Sequence, residues 1–489
     1  MTTKTTETVS VKTPYWDIAA DIYFPPGFDE SKQYPAIISA HPIGSCKEQT
    51  SGNVYGTALA DAGYVVIAFD ASYQGASGGE PRFTEDPTQR VQDFSFVVDH
   101  LVTLPYVDAD RIGVLGICGG GGYSISAAKT ERRIKVVGSV VGVNFGHLLH
   151  EAFSGYDPIA TREAIAGQRT AEARGAEPNV ENLLPPTVDA AAGTGLDVVE
   201  ATDYYKTPRG EKPNGATRSL ISRRAAGYGW DAFTHAKYSS PSRCVSSSET
   251  SPVRSVPTVT ASRSTAAPAP RRSNSSWPKA SRTTTCTTSP TRSGRLSTPS
   301  SPSTTRTSDR TSTHHNQKDS VMDSITFPNG PITMAGNLFL PDNFDPQASY
   351  AAVVTVHPGG GVKEQTAGLY AAKMAEEGFV ALAYDASFQG ESGGDPHHLE
   401  DPFARAEDVR AAVDFLQSLG YVDAERIGVL GVCAGGGYAV NAALTDYRIK
   451  AVTTVSAVNI GASFRRGWYG TDSDAAFFRE NLAAHSEAN

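Results

Sequence analysis

The sequence predicts two tandem α/β domains, each built on a mostly parallel sheet with helices on both faces. Two observations lead to this fold class: a long stretch of sequence occurs twice, and each copy alternates apolar runs of strand length with segments of helical spacing. A third feature, a stretch rich in Ser, Thr, Pro and Arg, separates the two copies. The length of 489 residues fits two or three domains.

The duplication is visible in three pairs of segments. "AHPIGSCKEQTSG" at Ala40 matches "VHPGGGVKEQTAG" at Val356, and "FDASYQGASGG" at Phe69 matches "YDASFQGESGG" at Tyr384. The segments "RIGVLGICGGGGY" and "RIGVLGVCAGGGY" form the third pair. Repeats of this length are copies of a whole domain rather than units of a solenoid.

Four short apolar runs in each copy have the length of buried strands. In the first copy the apolar runs are Pro35–Ala40, Tyr64–Phe69, Ile112–Leu115 and Ile134–Val141. The segments with helical spacing between them are Gly52–Ala62 and Thr88–Leu104. In the second copy the apolar runs are Ala351–Val356, Val380–Tyr384, Ile427–Leu430 and Ile449–Val455. Such runs, alternating with helices, are typical of parallel sheets covered on both faces.

A glycine-rich turn follows the third run of each copy. The segments "GICGG" at Gly116 and "GVCAG" at Gly431 both read G-x-C-x-G, between a strand and a helix of small residues. Flanking glycines permit a sharp turn, and the start of a helix favours a thiolate. We therefore predict that Cys118 and Cys433 occupy nucleophile positions. The alternative is a buried cysteine that acts as a small hydrophobic residue, which is our interpretation of Cys46.

A second loop follows the first run of each copy, at "HPIG" and "HPGGG". Its backbone N–H groups can stabilise a developing oxyanion together with the N–H that follows the nucleophile. The predicted oxyanion residues are Ile43, Gly44, Gly119, Gly359, Gly360 and Ala434. His41 and His357 are predicted to shape this loop rather than to act as bases, because the base of such a site follows the nucleophile in the chain. The candidates for lining the pocket are His41, His357, Asp70 and Asp385, although turn formation explains the segments that follow the two aspartates equally well.

These motifs together resemble a known family. The order H-P-G-G-G-x-K-E-Q-T, D-A-S-x-Q-G-x-S-G-G and G-x-C-x-G-G-G-Y is similar to α/β-hydrolases related to dienelactone hydrolase, a group that includes fungal polyketide transferases and thiohydrolases. The resemblance covers Thr8–Asp231 and Ile325–Asn489. It implies a Cys or Ser nucleophile, an Asp or Glu acid, a late His and no metal or cofactor. The implied reaction is hydrolysis or transfer of an acyl group from an ester, lactone or thioester.

The stretch between the copies contains almost no large apolar residues. We predict domains at 1–238 and 322–489, joined by a disordered segment at 239–321. Two origins remain open: a natural linker, or translation in a shifted reading frame that begins between Tyr238 and Glu249. When "RTTTCTT" is read one base early, its codons are compatible with His-Tyr-Asp-Leu-Tyr-Asp, which is close to the histidine loop of the family. Met322 would then be the start of a second gene.

Neither copy shows the acid and the late histidine that the resemblance implies. The first copy enters the polar stretch after its cap, and the second ends within the cap, so we expect two C-terminally incomplete α/β-hydrolase folds. Six further histidines lie in or near the caps or in the polar stretch, and we assign none of them as the base: His147, His150, His235, His314, His315 and His485. The predicted activity is lost or strongly reduced. The alternative is a non-catalytic two-domain protein that binds small molecules.

Composition narrows the remaining possibilities. The net charge of −9 disfavours a general nucleic-acid binder, so the expected partner is a small acyl substrate. No apolar stretch reaches the ~18 residues of a membrane span, and the N-terminus lacks a signal-peptide core. Five cysteines without metal-ligand spacing predict no metal site. We expect a cytoplasmic protein and leave its oligomeric state open.

Overall fold

The computed structural model describes residues 4–153, 157–234, 243–247 and 322–466. The described residues of both predicted domains belong to one compact unit. No helix among them is long and apolar enough to cross a membrane.

The first domain contains a seven-stranded sheet in the order β1-β2-β4-β3-β5-β6-β9. The strand β2 pairs antiparallel with β1 and β4, and all later neighbours are parallel. The strands are β1 (Thr6–Lys12), β2 (Asp17–Tyr23), β3 (Tyr34–Ala40), β4 (Val65–Phe69), β5 (Val107–Ile117), β6 (Ile134–Val140) and β9 (Arg243–Ser247). Two short strands, β7 (Val180–Asn182) and β8 (Arg218–Leu220), form a separate antiparallel pair.

The helices of the first domain fall into a core set and a cap set. The core helices are α1 (Thr57–Asp61), α2 (Pro87–Val102) and α3 (Gly119–Ala127). The helices of the cap, which follows β6, are α4 (Phe145–Leu148), α5 (Pro158–Ala173), α6 (Val188–Ala191), α7 (Leu196–Lys206) and α8 (Ala225–Tyr228). Asp86 begins α2 because its carboxylate accepts the N–H groups of Thr88 and Gln89.

The second domain repeats this arrangement in a six-stranded sheet of order β10-β11-β13-β12-β14-β15. Its strands are β10 (Met322–Asn329), β11 (Ile332–Phe339), β12 (Tyr350–Val356), β13 (Val380–Tyr384), β14 (Val422–Val432) and β15 (Ile449–Val455). Its helices are α9 (Gly368–Glu376), α10 (Pro402–Ser418), α11 (Ala434–Thr445) and α12 (Ile460–Arg466). The prediction of two α/β domains with mostly parallel sheets is confirmed.

The predicted strands are present, and two of them are longer than expected. The runs at Val380–Tyr384 and Ile449–Val455 match β13 and β15. The runs at Ile112–Leu115 and Ile427–Leu430 are only the buried parts of β5 and β14, whose first halves are polar and largely exposed. The antiparallel pairs at the start of each domain were not predicted, because one face of β1 and β10 meets solvent and leaves no apolar run.

The strand β9 corrects the predicted domain boundary. It lies within the range 239–321 that we assigned to a linker, and it pairs in parallel with β6. The first domain therefore extends at least to Ser247 and includes one strand after the cap. The rest of that range, 239–242 and 248–321, lies outside the described residues, so its disorder and its origin stay predictions.

The two domains pack against each other through the cap of the first. Helix α5 contacts helix α10 of the second domain, and Arg169 bridges Asp414 (Nη2–Oδ2 2.9 Å) and Glu407 (Nη2–Oε1 2.7 Å). A cavity of about 210 Å³ lies at this contact and is lined by equivalent positions of the two repeats, including Tyr73 with Phe388. Corresponding loops of the two repeats therefore line one cavity.

Candidate active site

Both elbow cysteines sit at a sharp turn from strand to helix. Cys118 lies between β5 and α3 with φ 54° and ψ −120°, and Cys433 lies between β14 and α11 with φ 56° and ψ −119°. A non-glycine residue at positive φ is strained, and such strain clusters at functional sites. The predicted strand–turn–helix is thus present in both domains, with the same backbone geometry.

The backbone around each cysteine is held by three hydrogen bonds. The N–H of Cys118 donates to the carbonyl oxygen of Val140 (2.9 Å), and its own carbonyl oxygen accepts from Gly121 (2.9 Å) and Val143 (2.9 Å). Cys433 has the equivalent bonds with Val455, Gly436 and Val458. These bonds join the elbow to the end of the neighbouring strand and offset the cost of the strained conformation.

Close backbone approach explains the glycines of the motif. A Cβ on Gly116 would lie 2.2 Å from the carbonyl oxygen of Gly120, and a Cβ on Gly431 would lie 2.3 Å from that of Gly435. The later glycines pack against the loop that follows the neighbouring strand, because a Cβ on Gly122 would meet the carbonyl oxygen of Val143 at 2.0 Å.

The backbone of Gly119 and the backbone of Ile43 both act on the first elbow sulfur. Burial, the largest effect, raises the pKa of Cys118, whereas backbone hydrogen bonds from Gly119 and Ile43 lower it; the balance is a raised pKa. These are two of the predicted oxyanion residues, on the two predicted loops. Gly44 turns the first loop with φ 70°, and its carbonyl oxygen accepts from Thr217 of the cap (2.9 Å).

The second domain arranges the same loop with smaller residues. Gly359 takes the place of Ile43, and a Cβ built on it would lie 3.6 Å from Cβ of Ala434. Gly360 turns this loop with φ 66°, as Gly44 does in the first domain. Gly359 and Gly360 are exposed, so the loop opens to solvent.

The two loop histidines are fully engaged with backbone. In His41, Nδ1 lies 2.6 Å from the carbonyl oxygen of Pro42, and Nε2 accepts the N–H of Ala71 (3.0 Å). Burial and the charge of Arg90 hold the pKa of His41 well below its usual value. His357 makes the equivalent contacts, and burial and the charge of Arg405 lower its pKa to about 4. These neutral rings shape the loop and leave no free nitrogen for a base.

Asp70 and Asp385 tie two loops together. The carboxylate of Asp70 accepts the N–H groups of Lys47 (2.6 Å) and Ala76 (2.8 Å), and burial raises its pKa to about 6. The carboxylate of Asp385 accepts the N–H groups of Lys363 (2.7 Å) and Glu391 (2.9 Å). Both side chains are fully buried, so they lie behind the loops, and their burial does not favour the predicted place in the lining of the pocket.

A buried Glu–Arg–Tyr cluster beneath the elbow was not predicted. The hydroxyl of Tyr123 donates to Glu85 (2.8 Å), and the guanidinium of Arg90 lies 4.8 Å from the centre of the Tyr123 ring. Glu85 raises the pKa of Cys118 and Arg90 lowers it, so the cluster acts electrostatically on the sulfur. The sequence repeat could have revealed this cluster, because Glu400, Arg405 and Tyr438 occur at the equivalent positions and form the same cluster in the second domain.

The described residues do not supply a base to either sulfur. Within these ranges no histidine or carboxylate is hydrogen-bonded to Cys118 or Cys433. His147 is exposed on α4, and Nε2 of His150 lies 3.0 Å from the carbonyl oxygen of Tyr228. His235, His314, His315 and His485 lie outside the described residues.

Among the described residues, one group of side chains has donor atoms close enough for a metal ion. The ligand atoms of Cys46, Glu48 and Asp70 lie within 4.8 Å of one another. The ammonium of Lys47 already binds Glu48 (2.6 Å), both oxygens of Asp70 accept backbone N–H groups, and burial raises the pKa of the Cys46 thiol. This donor set does not fit a metal ion, because its charges are already compensated.

A model of a known protein family matches each of the two domains. The model of the dienelactone hydrolase family matches residues 334–457, and that of the X-Pro dipeptidyl-peptidase (S15) family matches residues 16–150. Each match includes one elbow cysteine.

Curated relatives extend this picture. The chain is 58% identical over 146 residues to the uncharacterized protein YcjY of Escherichia coli (30% of this chain, 48% of the relative). It is 36% identical over 200 residues to PA2218 of Pseudomonas aeruginosa (40% and 53%). It is 33% identical over 177 residues to the thiohydrolase aneE of Aspergillus aculeatus (35% and 54%). The chain thus spans about half the length of the curated relatives it matches. The crystal structure of PA2218 aligns with 49% of this chain and 76% of its own, at 32% identity and a TM-score of 0.45.

Proposed function

The two domains of this chain are α/β-hydrolase domains related to dienelactone hydrolase, and on that premise we propose that their elbow cysteines accept acyl groups from esters, lactones or thioesters. The observation that carries the proposal is the position of Cys118 at a strained strand-to-helix turn, where Ile43 of the first loop lies directly against Gly119. A pair of backbone donors aimed at a nucleophile is the arrangement that acyl transfer requires.

The chemistry follows from these groups. The thiolate of Cys118 attacks the acyl carbon and forms a C–S bond, while the carbonyl oxygen takes the negative charge. The two N–H groups stabilise this oxyanion, and removing one such donor from a comparable site costs roughly 100-fold or more in rate. The intermediate then expels an alkoxide or thiolate, and water or an acceptor alcohol releases the acyl group from the cysteine.

We propose that this activity is strongly reduced. The pKa of Cys118 is raised, so little thiolate is present at neutral pH. No histidine within the described ranges removes the thiol proton, so it must pass to solvent. Loss of a base and its acid typically lowers kcat by roughly 10⁴-fold or more.

The second candidate function is binding without turnover. The raised pKa of Cys118 favours it, because a protonated thiol is a poor nucleophile. In this case the sites of the two domains would hold small molecules that the chain does not convert.

Acylation of the intact chain decides between the two. The full-length protein is incubated with an acyl thioester, and peptides containing Cys118 and Cys433 are examined by mass spectrometry. We expect acyl adducts on these cysteines that disappear singly in Cys118→Ala and Cys433→Ala. Thioester binding by calorimetry without any adduct would support the binding protein and contradict acyl transfer.

A further inference from the structure

We propose that the first domain takes an acyl substrate that carries an anionic group, either a carboxylate on the acyl half or a phosphate on the leaving half. This inference rests on the proposed function and names its substrate class. It is carried by a basic cavity in the cap, whose wall is hydrogen-bonded to the predicted oxyanion loop.

The cavity has a volume of about 660 Å³ and lies between the cap and the loop that follows β4. One wall is formed by Gly75, Arg82 and Phe83, and the other by residues 205–218 of the cap. A volume of this size suits a small organic ligand.

Positive charge dominates its walls. Four cationic side chains line the cavity, and Glu211 is its one acidic side chain: the cations are Arg82, Lys206, Lys212 and Arg218. Within the described ranges none of the four forms an ion pair, and Arg82 donates instead to the carbonyl oxygens of Gly75 (2.7 Å) and Ser77. The chain as a whole has a net charge of −9, so the excess of positive charge at this cavity is opposite to the overall charge.

The cations also repel one another. Burial and then the charge of Arg218 lower the pKa of Lys206. A bound anion would relieve this repulsion and form charge-assisted hydrogen bonds, which are the strong ones in proteins.

The cavity is joined to the predicted oxyanion loop. The N–H of Thr217 donates to the carbonyl oxygen of Gly44 (2.9 Å), and the side chain of Gln49 donates to the carbonyl oxygen of Gly210 (2.8 Å). Tyr205 lines the cavity, and its pKa is raised by burial and next by the charge of Cys118. A ligand anchored by the cations therefore lies next to the loop that faces the elbow sulfur.

The test compares three thioesters on the full chain with Cys433→Ala, so that only Cys118 reports. Glutaryl and valeryl N-acetylcysteamine differ by a terminal carboxylate, and valeryl coenzyme A adds phosphates to the leaving thiol. We expect one charged thioester to acylate Cys118 about tenfold faster than valeryl N-acetylcysteamine, which corresponds to one net charge-assisted contact. The faster thioester identifies the source of the anion.

Variants assign the preference to the cavity. Lys206→Met with Lys212→Met should abolish the preference, and Lys206→Arg should keep it. Arg209→Met is the matched control, because Arg209 lies on the same cap outside the cavity and pairs with Asp203 (2.9 Å). Far-UV circular dichroism checks that each variant is folded. Equal rates for the three thioesters, or a preference that survives the double change, would overturn the inference.

Binding separates this inference from the proposed function. Calorimetry measures glutarate and inorganic phosphate on the unmodified chain and on the Lys206→Met, Lys212→Met protein. Anion binding that needs the two lysines, without acylation of Cys118, would keep the anion site and reject acyl transfer. The absence of both would reject both.

Discussion

Gly119 and Ile43 are so close that a Cβ on Gly119 would lie 2.4 Å from Cγ1 of Ile43. The second domain reverses the sizes of this pair, with Gly359 on the loop and Ala434 after the cysteine. The two residues that frame the candidate oxyanion site therefore differ together between the repeats. The first combination leaves no room for a Cβ after the cysteine, whereas in the second a Cβ on Gly359 would make an ordinary contact with Ala434 at 3.6 Å.

Gly119→Ala should disrupt the first site. The added methyl collides with Ile43 and displaces one of the two N–H donors, so we expect acylation of Cys118 to fall by roughly 100-fold. Peptide mass spectrometry of the acyl adduct measures the change, with Cys433 in the same sample as the internal control.

The second domain indicates which additional substitution should restore the acylation that Gly119→Ala reduces. Ile43→Gly combined with Gly119→Ala reproduces the pair of the second domain and should restore most of the acylation. A double variant as defective as Gly119→Ala alone would show that the two residues do not act through their contact.

Cys118→Gly should be more stable than Cys118→Ala. Both remove the sulfur, but only glycine adopts φ 54° without strain, so we expect a difference of about 1 kcal/mol in the free energy of unfolding. Urea unfolding of the two variants measures it. Equal stability would mean that the elbow relaxes when the cysteine is replaced.

Alkylation of Cys118 should require unusually high pH. Its pKa is raised by burial, so the reactive thiolate forms only above the range in which an ordinary thiol ionises. The rate with iodoacetamide is followed by mass spectrometry between pH 7 and 10, with glutathione as the reference. A profile with a lower midpoint than that of glutathione would contradict the raised pKa.

Arg169→Met should loosen the contact between the domains. Arg169 is almost completely buried and neutralises Glu407 and Asp414, which keep Arg410 and Arg448 as further partners. We expect a loss of about 3 kcal/mol in the free energy of unfolding, because the change leaves largely buried charge less well compensated. Arg209→Met, an exposed ion pair on the same cap, should change it by less than about 1 kcal/mol.

Acid should weaken the same contact. Burial raises the pKa of Glu407, but the charges of Arg169, Arg410 and Arg223 outweigh it and lower the pKa to about 2. The carboxylate therefore stabilises the fold above its ordinary pKa of 4.5, and this contribution is lost as the pH falls toward 2. Arg169→Met should shift that loss to higher pH in a series of unfolding experiments, whereas an unchanged profile would show that Arg169 does not set it.

Much of the fold could be predicted because the buried elements are apolar and repeated. The strand at Val380–Tyr384 is apolar throughout, that at Ile449–Val455 is rich in β-branched residues, and the elbow is marked by glycines that backbone contact requires. The strand β9 could not be predicted in the same way. Its sequence "RCVSS" has no apolar run, and only its pairing with β6 defines it.

The backbone of the candidate site, with its sharp turn and its loop, could be predicted from the sequence. The surroundings of its side chains could not. His41 and Asp70 follow strands as pocket residues do, yet their partners are backbone groups of distant loops that no local pattern reveals. The burial of Glu85 could not be predicted, because the sequence does not distinguish a buried acidic residue from an exposed one. The role of Cys118 as nucleophile stays a prediction.

The seating of α5 on α10 has a consequence for biosynthesis. Arg169 is translated more than two hundred positions before the acidic residues that hold it, so the N-terminal half must leave the ribosome with this guanidinium unpaired. The burial of Arg169 against α10 can be completed only after the C-terminal half has been made, which leaves an interval in which chaperones can act on this surface.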